Sequence, residues 1–239
     1  MGPAAAGLGG RLLAVVGWGM LEQFFPSTPR SGLAAPVEGN PQRTGRTVLI
    51  DRDGVINRNR PDHVKNWAEF EFLPGAVDAL VYLARQGWRV VVVTNQALVE
   101  RGFLSEAELG ALHCRMAAEI VRQGGELAAV FSCPHRPEAR CACRKPEPGL
   151  LRGVAEAFAL EDWGDVVFIG DDWSDLQAAE NAGCRSLLVL SGRVSEWMAA
   201  QLPPSCLGVA PDLFAAARLV VEGAARRASA PTVGGWSGC

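Results

Sequence analysis

The fold is decided by the stretch Leu49-Ile50-Asp51-Arg52-Asp53-Gly54-Val55-Ile56-Asn57. Residues 47–50 are β-branched or aliphatic, so we expect a buried strand that ends at Ile50. Two carboxylates, Asp51 and Asp53, follow at once, and Gly54 then lets the chain turn. In open parallel sheets, reactive groups lie at the carboxyl ends of strands. The two acids are either such groups or acceptors in a capped turn, and this segment alone leaves both interpretations open.

Length, charge and cysteine content limit the classes of protein to consider. The chain has 239 residues, which fits one α/β domain with extensions or two small domains. The net charge of −3 predicts no general attraction to nucleic acid or to a membrane, so an anionic substrate must be held by local charges. Seven cysteines are an odd number. They favour a metal site in a reducing, cytoplasmic compartment over a disulfide framework.

The chain is predicted to have one folded domain, residues 45–221, between two extensions. Residues 1–44 are rich in Gly, Ala and Pro and are expected to form a flexible arm, a docking segment or an artefact of a start codon placed too early. The apolar run at residues 12–25 is too short and interrupted for a transmembrane helix, and a signal peptide is the less favoured alternative. Residues 222–239 are predicted to form a frayed tail.

Strand-like and helix-like segments alternate after residue 47. This order predicts an α/β fold with a doubly wound parallel sheet. Beyond the first strand, we expect strands at residues 89–93, 127–131, 166–169, 185–190 and, at an edge, 206–209. Helices are expected at residues 76–86, 105–123 (with a Ser105/Glu108 capping box), from 148, 174–182 and 213–221.

Polar motifs follow three further segments, and all can meet the first motif at one rim of the sheet. They are Thr94-Asn95-Gln96, Arg144-Lys145-Pro146 and Gly170-Asp171-Asp172. A carboxylate nucleophile, a hydroxyl, an ammonium group and a late acidic pair are what phosphoryl transfer through an aspartyl phosphate requires. A divalent cation such as Mg²⁺ is needed so that the two anions can approach.

A loop of cysteines and a histidine precedes the lysine motif. Cys133, His135, Cys141 and Cys143 follow the spacing C-x-H, five residues, C-x-C. Thiolates and imidazole suit tetrahedral Zn²⁺, and four protein ligands predict a closed structural site. The alternative is a proline-rich loop in which the cysteines are fortuitous.

With these motifs in order, residues 47–193 resemble the haloacid dehalogenase (HAD) superfamily of phosphatases. Within that superfamily the chain is similar to the D-glycero-D-manno-heptose 1,7-bisphosphate phosphatases and to the related histidinol phosphatases. The resemblance implies a Rossmann-like core and an aspartyl-phosphate mechanism. By motif, it implies that Asp51 is the nucleophile, that Asp53 is the general acid/base, and that Thr94 and Lys145 bind the phosphoryl group. The implied substrate contacts are Asn95, Gln96, Arg144 and His63. The implied Mg²⁺ ligands are Asp51, the backbone carbonyl of Asp53, Asp171 and Asp172.

Position 172 departs from the family, which usually has Lys there. Asp172, or Asp175 after it, is expected to be a second acid of the Mg²⁺ pocket, or else Asp172 only replaces a substrate-binding lysine. No large insertion follows either of the first two strands, so no large cap domain is expected, and specificity must come from loops. The resemblance implies a monomeric cytoplasmic enzyme that removes the 7-phosphate of a heptose bisphosphate. The alternatives are a histidinol-phosphate phosphatase and a non-catalytic zinc-stabilised binding module.

Overall fold

The computed structural model describes residues 46–193 and 202–229, and within them six strands form one parallel sheet. The strands are β1 (Thr47–Ile50), β2 (Arg89–Asn95), β3 (Ala129–Cys133), β4 (Val166–Gly170), β5 (Arg185–Val189) and β6 (Cys206–Ala210). Their order is β3-β2-β1-β4-β5-β6, and every pairing is parallel. β1 is therefore central, between β2 and β4, and the residues that follow it lie in the middle of the rim.

Helices cover both faces of this sheet, as the alternating sequence predicts. They are α1 (Ala76–Arg85), α2 (Glu106–Arg122), α3 (Gly149–Ala157), α4 (Trp173–Ala182) and α5 (Leu213–Ser229). Val48 and Ile50 of β1 pack with α1, α2 and α5, whereas Leu49 packs with α3 and α4. The central strand is apolar throughout because neighbouring residues point to opposite faces and both faces are buried. The predicted doubly wound fold is confirmed.

Local sequence signals explain where two helices begin. Ser105 caps α2, since its hydroxyl accepts a hydrogen bond from the Glu108 amide and the Glu108 carboxylate accepts one from the Ser105 amide. The predicted capping box is therefore present. Asp172 and Asp175 form the same reciprocal arrangement at the start of α4. In this second box, the Asp172 carboxylate accepts from the Ser174 amide, and the Asp175 carboxylate accepts from the amides of residues 171 and 172.

Several element boundaries differ from the sequence prediction by one or two residues, and the differences at β3 and at the last helix matter most. β3 begins two residues later than expected and ends at Cys133, so the first cysteine of the zinc loop is the last residue of a buried strand. The last helix does not end at residue 221 but continues to Ser229, and Ala224 is buried against the core. Alanine favours helix formation, and its small side chain packs closely against the core. The predicted frayed tail is therefore wrong for residues 222–229, and residues 230–239 lie outside the described residues. The extension predicted for residues 1–44 lies outside the described residues.

Within residues 46–193 and 202–229, no cap domain covers the rim at the carboxyl ends of the strands. The chain between β1 and α1 is instead folded down by an aromatic cluster of Trp67, Phe70 and Phe72. The Trp67 and Phe70 rings stack with centroids 5.0 Å apart, and Phe72 meets Phe70 edge-on. In the described part of the chain, no helix is both long and apolar enough to cross a lipid bilayer.

Candidate active site

An open cleft of about 850 Å³ lies at the carboxyl ends of β1, β2 and β4. Asp51 and Asp171 directly follow β1 and β4, and Thr94 and Asn95 are the last two residues of β2. The motif residues that line the cleft are Asp51, Asp53, His63, Thr94, Asn95, Arg144, Lys145, Asp171 and Asp172. Of the side chains predicted for the active site, only Gln96 does not line the cleft.

Lys145 lies at the bottom of the cleft between two carboxylates. Its Nζ is 2.7 Å from Oδ1 of Asp51 and 2.7 Å from Oδ1 of Asp175, and it also donates to the carbonyl of Val93. Burial opposes the charge of Lys145, but the carboxylates of Asp175 and Asp51 outweigh it, so the pKa of the ammonium group is raised. A permanently charged lysine beside Asp51 can attract an anionic group to that carboxylate.

Asp171 approaches Asp51 because two glycines leave room for it. A Cβ on Gly54 or on Gly192 would overlap Oδ2 of Asp171, and Gly54 also has a φ of +93°. Oδ2 of Asp171 accepts a hydrogen bond from the Arg193 amide at 2.7 Å. Asp51, Asp171 and Asp175 each place one carboxylate oxygen within 4.8 Å of the other two.

This buried group of carboxylates fits a divalent cation. Burial raises the pKa of Asp171, and the negative charges of Asp51 and Asp175 raise it further. The three acids are buried, and Lys145 is the one cation among them, so the group has an excess of negative charge. A bound cation would balance that excess. Oxygen ligands of this kind are those that Mg²⁺ prefers.

Asp53 is held on three sides by donors. Nη2 of Arg52 contacts both of its oxygens at 2.9 and 2.8 Å, Nδ2 of Asn57 donates at 2.9 Å, and Nε2 of Gln96 donates at 2.7 Å. Burial would raise the pKa of Asp53, but the Arg52 charge and the hydrogen bonds from Asn57, Arg52 and Gln96 lower it below its ordinary value. Asp53 is therefore a fixed carboxylate at the side of the cleft.

The two amides predicted to contact substrate are used inside the protein. The Asn95 side chain donates to the carbonyl of Lys145 and accepts from its amide, and so fixes the segment that carries the lysine. Gln96 is buried and links Asp53 to the hydroxyl of Thr94. Asn95 still borders the cleft, whereas Gln96 does not line it. The geometry therefore assigns Gln96 the role of positioning Asp53 and Thr94.

Asp172 is not brought into the carboxylate group. Its Oδ1 accepts a hydrogen bond from the Ser174 amide and caps α4. Asp175, one helical turn later, is the acid that joins Asp51 and Asp171, and its Oδ2 accepts from the amides of both residues 171 and 172. A helix N-terminus leaves several amides to be satisfied, and Asp172 is the residue best placed to satisfy one.

Cys133, His135, Cys141 and Cys143 are brought together as the spacing predicts. The sulfur atoms are 3.3 to 3.6 Å apart, and Nδ1 of His135 is 3.5 Å from Cys133 and 3.3 Å from Cys143. No disulfide joins these cysteines. A tetrahedron with metal–sulfur bonds of about 2.3 Å has edges of about 3.8 Å, so the donor set fits one Zn²⁺.

Arg144 connects the metal-binding loop to the cleft. Its Nη1 donates to the carbonyl of His135 at 3.0 Å, and the residue borders the cleft. His63 also borders it, with a φ of 60°. Burial, followed by the charge of Arg193, lowers the pKa of His63.

Several residues of the site were not predicted. Arg101, Arg140 and Arg193 border the cleft beside Arg144, and Asn57 and Arg52 contact Asp53. The arginines come from separate loops, and no spacing in the sequence connects them. Arg52 and Asn57 belong to the first motif, and their closeness to Asp53 in the sequence could have indicated that they contact it.

Comparison with known proteins agrees with this geometry. Residues 142–216 match the model of a family described as HAD-hydrolase-like. A D-glycero-β-D-manno-heptose-1,7-bisphosphate 7-phosphatase of Pseudomonas putida is 39% identical over 176 residues, which covers 74% of this chain and 99% of the relative. A D-glycero-α-D-manno-heptose-1,7-bisphosphate 7-phosphatase of Mycobacterium bovis is 38% identical over 135 residues, which covers 56% of this chain and 71% of that protein.

A solved structure is similar as well. It is the D,D-heptose 1,7-bisphosphate phosphatase of Bordetella bronchiseptica, complexed with magnesium and phosphate. It has a TM-score of 0.70 and 38% identity, and the match covers 74% of this chain and 99% of that one. The fold and the comparisons thus define a phosphatase of the HAD superfamily. Within that class, the chain belongs to the D-glycero-D-manno-heptose 1,7-bisphosphate 7-phosphatase family.

Proposed function

We propose that this phosphatase hydrolyses phosphomonoesters through an aspartyl phosphate on Asp51, with Mg²⁺ as its cofactor. The observation that carries the proposal is the position of Asp51 at the end of the central strand, between the Lys145 ammonium group and the Asp171 carboxylate. A carboxylate in this position can attack phosphorus while the lysine attracts the phosphoryl oxygens. The hydroxyl of Thr94 is assigned to the same oxygens.

The two half-reactions use Asp51 and Asp53 in turn. An oxygen of Asp51 forms a bond to phosphorus, the bond from phosphorus to the ester oxygen breaks, and the leaving alkoxide takes a proton from Asp53. Asp53 must enter this step in its acid form, although the donors around it lower its pKa in this structure. Asp53 then removes a proton from water, whose oxygen attacks the same phosphorus. The bond between phosphorus and Asp51 breaks, and Asp51 leaves as a carboxylate. No net proton is gained or lost by either side chain.

The metal assignments follow from the donor sets. Asp51, Asp171 and the carbonyl of Asp53 are assigned to Mg²⁺, with Asp175 holding Lys145 and the start of α4 beside them. When bound, Mg²⁺ supplies the positive charge that lets a carboxylate approach a phosphate. Zn²⁺ is assigned to the four-ligand loop as a structural ion. We place the reaction in the cytoplasm because a reducing compartment keeps cysteines free to bind a metal instead of forming disulfides.

The substrate we propose is D-glycero-D-manno-heptose 1,7-bisphosphate, from which the 7-phosphate is removed by a monomeric enzyme. Support comes from the relatives' activity and from the arginines at positions 101, 140, 144 and 193, which suit a substrate with a second anionic group. Histidinol phosphate is the alternative. It carries one phosphate and a cationic amine, which this arginine-rich rim does not favour.

A substrate panel tests the proposal. The α- and β-anomers of the heptose bisphosphate, histidinol phosphate and 4-nitrophenyl phosphate are compared at equal Mg²⁺, with Asp51→Asn as the inactive control. We expect kcat/KM to be highest for one heptose bisphosphate and to fall by about a thousandfold or more in Asp51→Asn. Preference for histidinol phosphate would refute the substrate, whereas more than a hundredth of normal activity in Asp51→Asn would refute the nucleophile.

A further inference from the structure

A buried cation and an imidazole lie behind Asp53 and take no part in the chemistry described so far. Arg52 is completely buried, although it is charged, and it lies between the two aspartates of the first motif. Burial of an arginine is costly unless its N–H groups find acceptors. Its Nη2 contacts Asp53, and its Nη1 lies 3.1 Å from Nε2 of His113 on α2.

The direction of the Arg52–His113 hydrogen bond can be deduced. A guanidinium group only donates, so Nε2 of His113 must accept, and the ring must be neutral with its proton on Nδ1. His113 is 1% exposed. Burial lowers the pKa of His113 to about 3, and the Arg52 charge acts in the same direction. The neutral acceptor is therefore the state present at neutral pH.

The row of contacts runs from a helix to the acid/base. His113 on α2 accepts from Arg52, Arg52 donates to both oxygens of Asp53, and Asn57 and Gln96 hold the same carboxylate from other directions. Nε of Arg52 has no hydrogen-bond partner within the described residues, so the two Nη contacts are what hold the guanidinium group. Loss of the His113 acceptor would leave Arg52 attached to Asp53 alone.

We propose that His113, acting through Arg52, is a positioning residue that holds the Asp53 carboxylate at the angle needed for proton transfer. The inference rests on the proposed role of Asp53 as general acid. General acid catalysis matters most when the leaving group is a poor one, such as a sugar alkoxide, and little when it is a nitrophenolate. A displaced Asp53 should therefore harm the two kinds of substrate unequally.

The test measures kcat/KM, which includes only the steps up to departure of the alcohol. Heptose bisphosphate and 4-nitrophenyl phosphate are compared for His113→Phe, which removes the acceptor, and for His113→Gln, which restores one. In His113→Phe we expect the ratio of the two kcat/KM values to shift against the sugar phosphate by about tenfold or more. In His113→Gln the ratio should stay within about threefold of wild type.

Two controls separate positioning from loss of stability and from failure of the underlying mechanism. Ile120→Val, also buried on α2, should lower stability without changing the ratio. Asp53→Asn should shift the ratio at least as far as His113→Phe does. If Asp53→Asn leaves the ratio unchanged, the role of Asp53 is wrong.

If Asp53→Asn shifts the ratio and His113→Phe does not, the positioning role alone is refuted. Should His113→Phe fail to fold, His113→Asn replaces it, because its shorter side chain keeps a polar atom but cannot reach Arg52. The same shift is expected for His113→Asn, and an unchanged ratio in that variant refutes the positioning role equally.

Discussion

At the scale of single residues, the position of the Asp171 carboxylate depends on residue 192 being a glycine. A Cβ at Gly192 would overlap the Asp171 carboxylate, whose Oδ2 is already held by the Arg193 amide. Gly192→Ala should displace this carboxylate from Asp51, and the Mg²⁺ concentration for half-maximal activity should rise by about tenfold or more. Titration of activity with Mg²⁺ measures the change.

Gly110→Ala is a suitable control for Gly192→Ala. Gly110 lies within α2, and a Cβ there meets nothing within 4 Å. The Mg²⁺ requirement of this variant should be unchanged and its stability slightly raised, because alanine favours the helix. An unchanged Mg²⁺ requirement in Gly192→Ala would show that Asp171 does not bind the metal.

Asp172 can be tested separately from the metal ligands, because its carboxylate is used by the helix. Asp172→Lys removes the cap of α4 and adds a positive charge to a cleft that receives an anionic substrate. We expect KM for a bisphosphate to fall by a few-fold, with stability lower by about 1 kcal/mol and the Mg²⁺ requirement unchanged. Kinetics at several Mg²⁺ concentrations, with thermal unfolding, provide the measurement.

Asp172→Asn distinguishes loss of the cap from loss of charge, since asparagine also caps helices well. This variant should keep its stability and show a smaller change in KM than Asp172→Lys. A collapse of Mg²⁺ affinity in both variants would instead make Asp172 a ligand, as the sequence suggested.

At the scale of elements, the loop with the Cys/His cluster and Lys145 belong to one continuous segment. Cys143 is followed directly by Arg144 and Lys145, and Arg144 donates to the carbonyl of His135 within the loop. Cys141→Ser should lower the zinc content from about one per chain, reduce the melting temperature and decrease kcat. Elemental analysis, thermal unfolding and steady-state kinetics check the three effects.

Cys114→Ser is the matched control for the loop. Cys114 is exposed on α2 and lies outside the segment that contains the four candidate metal ligands. Neither zinc content nor kcat should change in this variant. Protein purified without chelator that contains no zinc would contradict the structural site altogether.

At the scale of the whole molecule, one buried histidine should make the domain sensitive to acid. The pKa of His113 is lowered to about 3 by burial and by Arg52, whereas an unfolded histidine titrates near 6.5. Between these values the unfolded chain binds the extra proton, so stability is full above about pH 6.5 and falls as the pH decreases toward 3. The expected slope from this group is about 1 kcal/mol per pH unit.

Denaturant unfolding of wild type and His113→Gln from pH 7.5 to pH 4.5 checks this slope. Other groups that titrate over the same range cancel in the difference between the two proteins. The difference in the free energy of unfolding should be constant above pH 6.5 and should shift in favour of the variant below it. Parallel curves over the whole range would show that His113 does not remain neutral.

The sequence predicted the sheet and the ends of its strands because apolar periodicity and local turn residues determine both. β1, β2 and β4 ended within two residues of their expected positions, and the acids and amides that follow them met at one rim. The zinc ligands could be recognised for a similar reason, since all four belong to one short loop.

Contacts between segments that are far apart in the chain could not be predicted from the sequence. The pairing of Arg52 with His113 joins a residue of the loop after β1 to a residue of α2, 61 positions apart in the chain. The choice between Asp172 and Asp175 also depends on tertiary structure, because both acids fit a helix N-terminus and only the course of β4 into α4 turns Asp175 toward Lys145. Asn95 and Gln96 face the protein for the same reason: their partners are supplied by another strand or loop.

The cleft gathers its groups from a long span of chain, from Asp51 after the first strand to Arg193 after the fifth. A ribosome delivers residues in order at about 5 to 20 per second, so the nucleophile emerges many seconds before Asp171, its partner across the cleft. For most of that interval the incomplete chain has Asp51 without Lys145, and throughout it the chain lacks Asp171 and Asp175. The complete group of three carboxylates and one lysine therefore exists only late in the synthesis of each molecule, and Arg193 is added to the cleft later still.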